Sequence, residues 1–155
     1  MPSVPSSDPV DPDVDLRVPQ DRGELVRHHG SVLVVIAAGG VLGALARLLV
    51  GEALPVVPGA FPWGTFLINV SGSLLIGILM AVLGLRPAHH RLVRPFLGVG
   101  VLGGFTTFSA YAVQSYELVR SGHPLVALVY LGGTMIAALL AVVGGVFLVR
   151  RVVHR

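Results

Sequence analysis

The sequence predicts an all-α membrane protein with four transmembrane helices, and three observations carry that prediction. Of its 155 residues, 54% are hydrophobic and only 12% are charged, whereas soluble domains carry about 25% charged residues. The mean hydropathy is +0.82. Four apolar stretches, each near the roughly 20 residues a helix needs to cross a hydrocarbon core, alternate with polar or proline-bearing connections. Cysteine is absent, which removes disulfides, thiolate metal sites and a cysteine nucleophile. All eleven basic residues are arginine. They cluster beside the apolar stretches, so the sequence pI of about 10.2 points to lipid headgroups as partners and not to nucleic acid.

Residues 1–30 form a polar, proline-rich head, with Asp8, Asp11, Asp13, Asp15, Asp21 and Glu24 set against Arg17, Arg22 and Arg27. Such a segment has too little apolar surface to order itself and is expected to be a disordered tail. Its acidic character is wrong for a secretory signal. A transmembrane domain is expected over 31–149, with a basic tail at 150–155.

The first span is predicted from Ser31 to about Val50. Gly39, Gly40, Gly43 and Ala44 give it a face that another helix can approach closely. Arg47 lies near its end, placed either to snorkel to the headgroups or to face a water-filled vestibule that attracts anions. Pro55, Pro58 and Pro62 then block helix between Gly51 and Phe61. The second span runs from about Trp63, an interfacial anchor, to Leu83. Asn69 falls about two turns inside it, with Ser71, Gly72 and Ser73 close behind; an amide in hydrocarbon needs a partner across helices or along a polar path.

The loop 84–94 carries Arg86, Arg91, Arg94 and the His89-His90 pair, which reads as solvated because no further ligand has suitable spacing. The third span runs from about Pro95 to Leu118, with Glu117 and Arg120 at its exit. Ser121-Gly122-His123-Pro124 is a tight turn, making the third and fourth spans antiparallel neighbours. The fourth span runs to about Val149, and Tyr130 and Thr134, four apart, share one helical face. Nine arginines lie in the tails and second loop against Arg120 alone in the opposite loops. That positive-inside bias predicts both termini in the cytoplasm.

In the third span, Gly103-Gly104-Phe105-Thr106-Thr107-Phe108-Ser109-Ala110-Tyr111 combines helix-loosening glycines, hydroxyls and aromatic rings. The run suits a packing seam or an interrupted helix lining a cavity. Phe108 and Tyr111 are three apart, so they either pack together or turn electropositive ring edges toward an anion. Carbonyls freed around Gly103–Thr106 are acceptors suited to a hard cation such as Na⁺. No carboxylate, histidine or lysine lies deep in a span, because Glu52 and Glu117 sit at ends. That excludes proton relays, carboxylate-coupled cation transport and nearly all acid–base catalysis, so an enzyme is not expected. The polar groups left are hydroxyls, the Asn69 amide and exposed backbone.

Three segments carry a family resemblance: Gly39-Gly40-Val41-Leu42-Gly43-Ala44-Leu45-Ala46-Arg47, Gly64-Thr65-Phe66-Leu67-Ile68-Asn69-Val70-Ser71-Gly72-Ser73, and Gly103-Gly104-Phe105-Thr106-Thr107-Phe108-Ser109. In order and on the expected spans, they resemble the signature segments of the CrcB/Fluc fluoride channels. The resemblance covers about Ser31 to Val149. It implies an antiparallel dimer in the cell membrane with two pores that passively export fluoride. It also implies a third helix broken at Gly103–Thr106, whose Gly103 and Thr106 carbonyls hold a central, untransported Na⁺.

By the same motifs, Phe108 takes the first position of an aromatic box lining the pores, and Tyr111 the second, where the family usually has Phe. Asn69 is the implied pore amide, Thr107 and Ser109 belong to the fluoride pathway, and Arg47 lies near the vestibule. Tyr130 and Thr134 match the start of a polar track on the fourth span, while Ala138, one turn on, lacks the expected hydroxyl. The arginine bias sits poorly with insertion in both orientations, and so points to pairing with an oppositely oriented homologue rather than with a second copy. Two other readings are a small multidrug-type exporter, which would rely on a first-span intramembrane Glu that is missing here, and a structural membrane subunit.

Overall fold

The computed structural model describes residues 30–85 and 91–153. Residues 1–29 of the expected disordered tail, Arg86, the His89-His90 pair and Arg155 lie outside the described residues, and Gly30, the last residue of that tail, is helical. Four helical runs are long and apolar enough to cross a membrane: Gly30–Ala53, Trp63–Leu85, Arg94–Arg120 and Pro124–Val153. Helix α1 is Gly30–Ala53 and α2 is Trp63–Leu85. The third run has three pieces: a π-wound α3 (Arg94–Leu102), a single turn α4 (Gly103–Phe105) and α5 (Ser109–Arg120). Helix α6 is Pro124–Val153.

The boundaries follow from local chemistry. Helix α1 ends just short of Leu54, whose position before Pro55 disfavours helical backbone. Pro62 sits at the entry of α2, where its missing N–H is no loss, and its carbonyl accepts the Phe66 N–H at 3.1 Å. Helix α5 closes with Gly122 at φ +83, while His123 N donates to the Leu118 carbonyl at 2.8 Å and Gly122 N to that of Val119 at 3.1 Å. This left-handed glycine cap, followed by Pro124, reverses the chain and lays α5 against α6. Helix α6 runs on through Arg150 and Arg151, so the first residues read as a basic tail are helical.

The bundle is assembled from two close helix pairs, α1 against α3–α4 and α2 against α6. A Cβ at Gly39 would stand 2.5 Å from the Phe96 carbonyl oxygen, and one at Gly104 2.5 Å from that of Gly40. At Gly43 it would overlap the Val101 carbonyl. On the other pair, a Cβ at Gly77 would overlap the Val142 carbonyl, and one at Gly145 would lie 2.5 Å from that of Leu74. Lipid tails are as apolar as leucine, so such backbone-to-backbone approach is what holds helices together in a bilayer. Large apolar side chains such as Leu49, Leu128, Leu140 and Val143 point outward. Near one end, Leu118, Ala127 and the fully buried Tyr130 form a small core with Phe61, Phe66 and Tyr111 around it. The Phe61 ring meets Tyr130 edge-on at 5.2 Å, which fastens the α1–α2 connection against the first turns of α6.

Candidate functional site

The third run loses helical form at Thr106, Thr107 and Phe108. Thr106 is extended, with φ −73 and ψ 158. Sequence reasoning put the irregular backbone at Gly103–Thr106; Gly103, Gly104 and Phe105 are helical, so it begins at Thr106 instead. Gly104 must lie flat on Gly40, and helical geometry provides that contact. The residues after it have side-chain alternatives to helical hydrogen bonds, which glycine lacks.

Asn69 supplies the strongest of these alternatives. Its Nδ2 donates to the Thr107 carbonyl at 3.0 Å, and its Oδ1 accepts the Thr107 N–H at 2.9 Å. One amide on α2 thus engages both polar groups of one residue's backbone. A continuous helix would send the Thr107 N–H to the Gly103 carbonyl, so Asn69 diverts it. Thr107 repeats the effect one step on: its Oγ1 accepts the Ala110 N–H at 3.2 Å, the donor that a helix would aim at the Thr106 carbonyl. Thr106 turns both of its donors back to the Leu102 carbonyl, N at 3.0 Å and Oγ1 at 2.9 Å. The carbonyls of Gly103 and Thr106 therefore both lose their ordinary helical donors. Arg47 Nη1 reaches the Thr106 carbonyl at 3.3 Å.

A cavity of about 440 Å³ opens beside this segment, and Asn69, Gly103, Thr106, Thr107, Phe108, Tyr111 and Thr134 line it. Most of the predicted site residues thus meet in one place. Ala138 lines it too, where the sequence offers a methyl instead of a hydroxyl. Phe108 is 79% exposed, with its ring 5.8 Å from that of Tyr111. Arg47 lies on the other side, in the wall of a second cavity of about 630 Å³ with Glu52 and Thr65. Thr107 borders both cavities.

Three predicted residues do not line the first cavity. Ser109 lies 3.3 Å from the Thr107 hydroxyl, Arg47 is placed as above, and Tyr130 is fully buried in the small core. The Tyr130 hydroxyl donates to Gln114 Oε1 at 2.9 Å, and the Tyr111 hydroxyl donates to the Leu131 carbonyl at 2.8 Å. Among the described residues, nothing partners the buried Thr134 Oγ1. Sequence reasoning counted one amide within the spans and missed Gln114. The available signal was its place three residues after Tyr111, on the same helical face.

No group of three His, Cys, Asp or Glu side chains that could hold a metal ion occurs among the described residues. A cation at this site would rest on backbone oxygen. The two carbonyls stripped of helical donors suit that chemistry, because a hard cation prefers such oxygens.

The family model described as CrcB-like protein, Camphor Resistance (CrcB), matches residues 34–146. The chain belongs to this family. The chain is 50% identical over 115 residues to the fluoride-specific ion channel FluC 2 of Nocardia farcinica, covering 74% of this chain and 82% of the relative. It is 46% identical over 134 residues to FluC 2 of Streptomyces avermitilis, covering 86% and 85%, and 40% identical over 119 residues to the FluC channel of Nitrobacter winogradskyi, covering 76% and 94%. As a CrcB-family member with four membrane-crossing helices, it is a multi-pass membrane protein. The matched region takes in Asn69, Thr106, Thr107, Phe108, Tyr111 and Thr134, so the cavity lies within the part of the chain that defines the family.

Proposed function

We propose that the chain forms a fluoride-selective channel that lets fluoride leave the cell passively and so lowers its cytoplasmic level. The observation that carries this reading is the convergence of Asn69, Thr107, Phe108, Tyr111 and Thr134 on one cavity in a chain 50% identical to a named fluoride channel. Fluoride is small and strongly hydrated, so its water must be replaced at close range by hydroxyl protons and electropositive ring edges. A neutral cavity with two ring edges and an uncommitted hydroxyl at Thr134 meets that need. An exporter of the small multidrug type is not favoured, and neither is a purely structural subunit.

In this reading the working unit is an antiparallel dimer. The 79% exposure of Phe108 supports it, since a pore ring open on one side is completed by a second protomer. The non-helical residues Thr106–Phe108 form a break at membrane depth, and the Gly103 and Thr106 carbonyls hold a structural Na⁺ that is not transported. Bound there, the ion would supply fixed positive charge beside the anion path. Asn69 acts through Thr107, holding the segment open. Both termini are cytoplasmic, and the nine-to-one arginine bias favours pairing with an oppositely oriented homologue. Relatives bearing both the FluC 1 and FluC 2 designations support that pairing.

The test is fluoride efflux from liposomes carrying the purified full-length chain, with chloride as the competing anion and with or without Na⁺. Fluoride-selective, Na⁺-dependent efflux is expected. Absence of fluoride flux even beside a co-expressed homologue refutes the channel reading, and full flux from this chain alone refutes the heterodimer.

A further inference from the structure

The carbonyl that would hold the cation already has a positive partner within the chain. Arg47 Nη1 donates to the Thr106 carbonyl at 3.3 Å, across 59 positions of sequence. We propose that Arg47 and a bound Na⁺ compete for the Thr106 carbonyl, so that the guanidinium holds the non-helical segment when sodium is absent and withdraws when sodium binds. This rests on the carbonyl-site reading above and adds to it an internal rival for the ion.

Four observations carry it. The Thr106 carbonyl has lost its helical donor, because Ala110 N–H goes to Thr107 Oγ1, and a carbonyl away from water needs another partner. A guanidinium and a sodium ion on the same oxygen repel strongly, because screening is weak inside protein. At 3.3 Å the Arg47 bond is longer than the ~3.0 Å of an ordinary N–H···O hydrogen bond, so it can be displaced. Finally, the side chain has somewhere to go. Arg47 lines the cavity of about 630 Å³ whose wall also includes Glu52, five residues further along α1. Withdrawing into this cavity clears the carbonyl and moves the guanidinium toward the end of α1 that carries Glu52.

The experiment reads sodium binding without reading flux. Thermal unfolding of the purified full-length protein is followed as Na⁺ replaces N-methyl-D-glucamine at constant ionic strength, and the half-saturating Na⁺ concentration is taken from the rise in midpoint. Arg47→Gln is expected to bind Na⁺ about tenfold tighter, equivalent to about 1.4 kcal/mol. Arg47→Lys keeps the charge and is expected to stay near the original protein. Glu52→Gln removes the alternative seat for the guanidinium and is expected to weaken Na⁺ binding, so it tests the idea even where Arg47→Gln does not fold. Unchanged or weaker binding in Arg47→Gln, or equal tightening in Arg47→Lys, overturns the competition while leaving the carbonyl site intact. Absence of any Na⁺-specific shift in both the original protein and Arg47→Gln overturns the carbonyl site and the competition with it.

Discussion

Replacing Asn69 by leucine keeps the number and branching of side-chain heavy atoms while deleting both hydrogen bonds to Thr107. Each bond, at 2.9 and 3.0 Å, contributes about 0.5–1.5 kcal/mol net, and a stranded buried carbonyl adds a penalty of about 1–3 kcal/mol. The Thr107 N–H is not stranded, because it can return to the Gly103 carbonyl and rebuild a continuous helix. Together these shift the balance toward the closed helix by about 2–6 kcal/mol, which is roughly 30- to 20,000-fold in conformer ratio at 1.4 kcal/mol per tenfold. Fluoride efflux from liposomes should therefore fall, by as much as the shift in conformer ratio, while size-exclusion behaviour stays unchanged. Asn69→Gln sharpens the test: it retains an amide, but the added methylene prevents both bonds to Thr107 from forming together. Wild-type flux in the leucine variant would refute any role for the amide. Wild-type flux in the glutamine variant alone would refute the backbone clamp and favour direct contact between the amide and the anion.

Phe108→Ala should abolish efflux while leaving the protomer's helical fold intact by circular dichroism, because the ring is 79% exposed on its own protomer; retained flux would remove Phe108 from the pathway. Tyr111→Phe should lower stability by about 0.5–1.5 kcal/mol through loss of the bond to the Leu131 carbonyl, and Tyr111→Leu, which loses the ring, should in addition cut flux. Gly43→Ala should destabilise by about 1–3 kcal/mol, since the new methyl meets the Val101 carbonyl. Gly40→Ala, with nothing within 4 Å of the added carbon, should not, and thermal unfolding separates the two. Thr134→Val should leave stability equal or higher, because it deletes a buried hydroxyl without a partner, yet reduce fluoride flux; equal flux would deny the hydroxyl a place on the path.

Much of the fold was legible because hydrophobic length and glycine spacing are properties of single segments. Pro55 and Pro62 bracket the first connection, and Gly122 with Pro124 closes the third run. The helix partners were less legible. Gly39, Gly43 and Gly104 announce close packing, but nothing in the sequence says that α1 takes α3–α4 while α2 takes α6. The exact start of the irregular backbone was misplaced for a related reason. Glycine marks where a chain is permitted to leave helix, whereas the actual departure occurs where side chains offer the backbone other partners, which here means Asn69 and Thr107.

Hydroxyl direction was the least legible feature, and it changes which groups can meet an anion. Tyr111 and Tyr130 both look like donors in the sequence, yet each proton is already committed, one to the Leu131 carbonyl and one to Gln114. Tyr111 therefore keeps its ring edge for the pathway, and its hydroxyl serves to anchor α5 to α6. Tyr130 lies in the small core, one helical turn before Thr134, and positions that turn without reaching the cavity. Among the described residues, Thr134 alone combines a cavity position, burial and an unpartnered hydroxyl. Deleting a buried group that is already unsatisfied should not harm the fold, so the presence of this hydroxyl in the cavity wall is better explained by a passing acceptor than by stability. On that argument the proposed anion path would run from the ring edges of Phe108 and Tyr111 to Thr134, which line the cavity, and not past Tyr130, which does not line it.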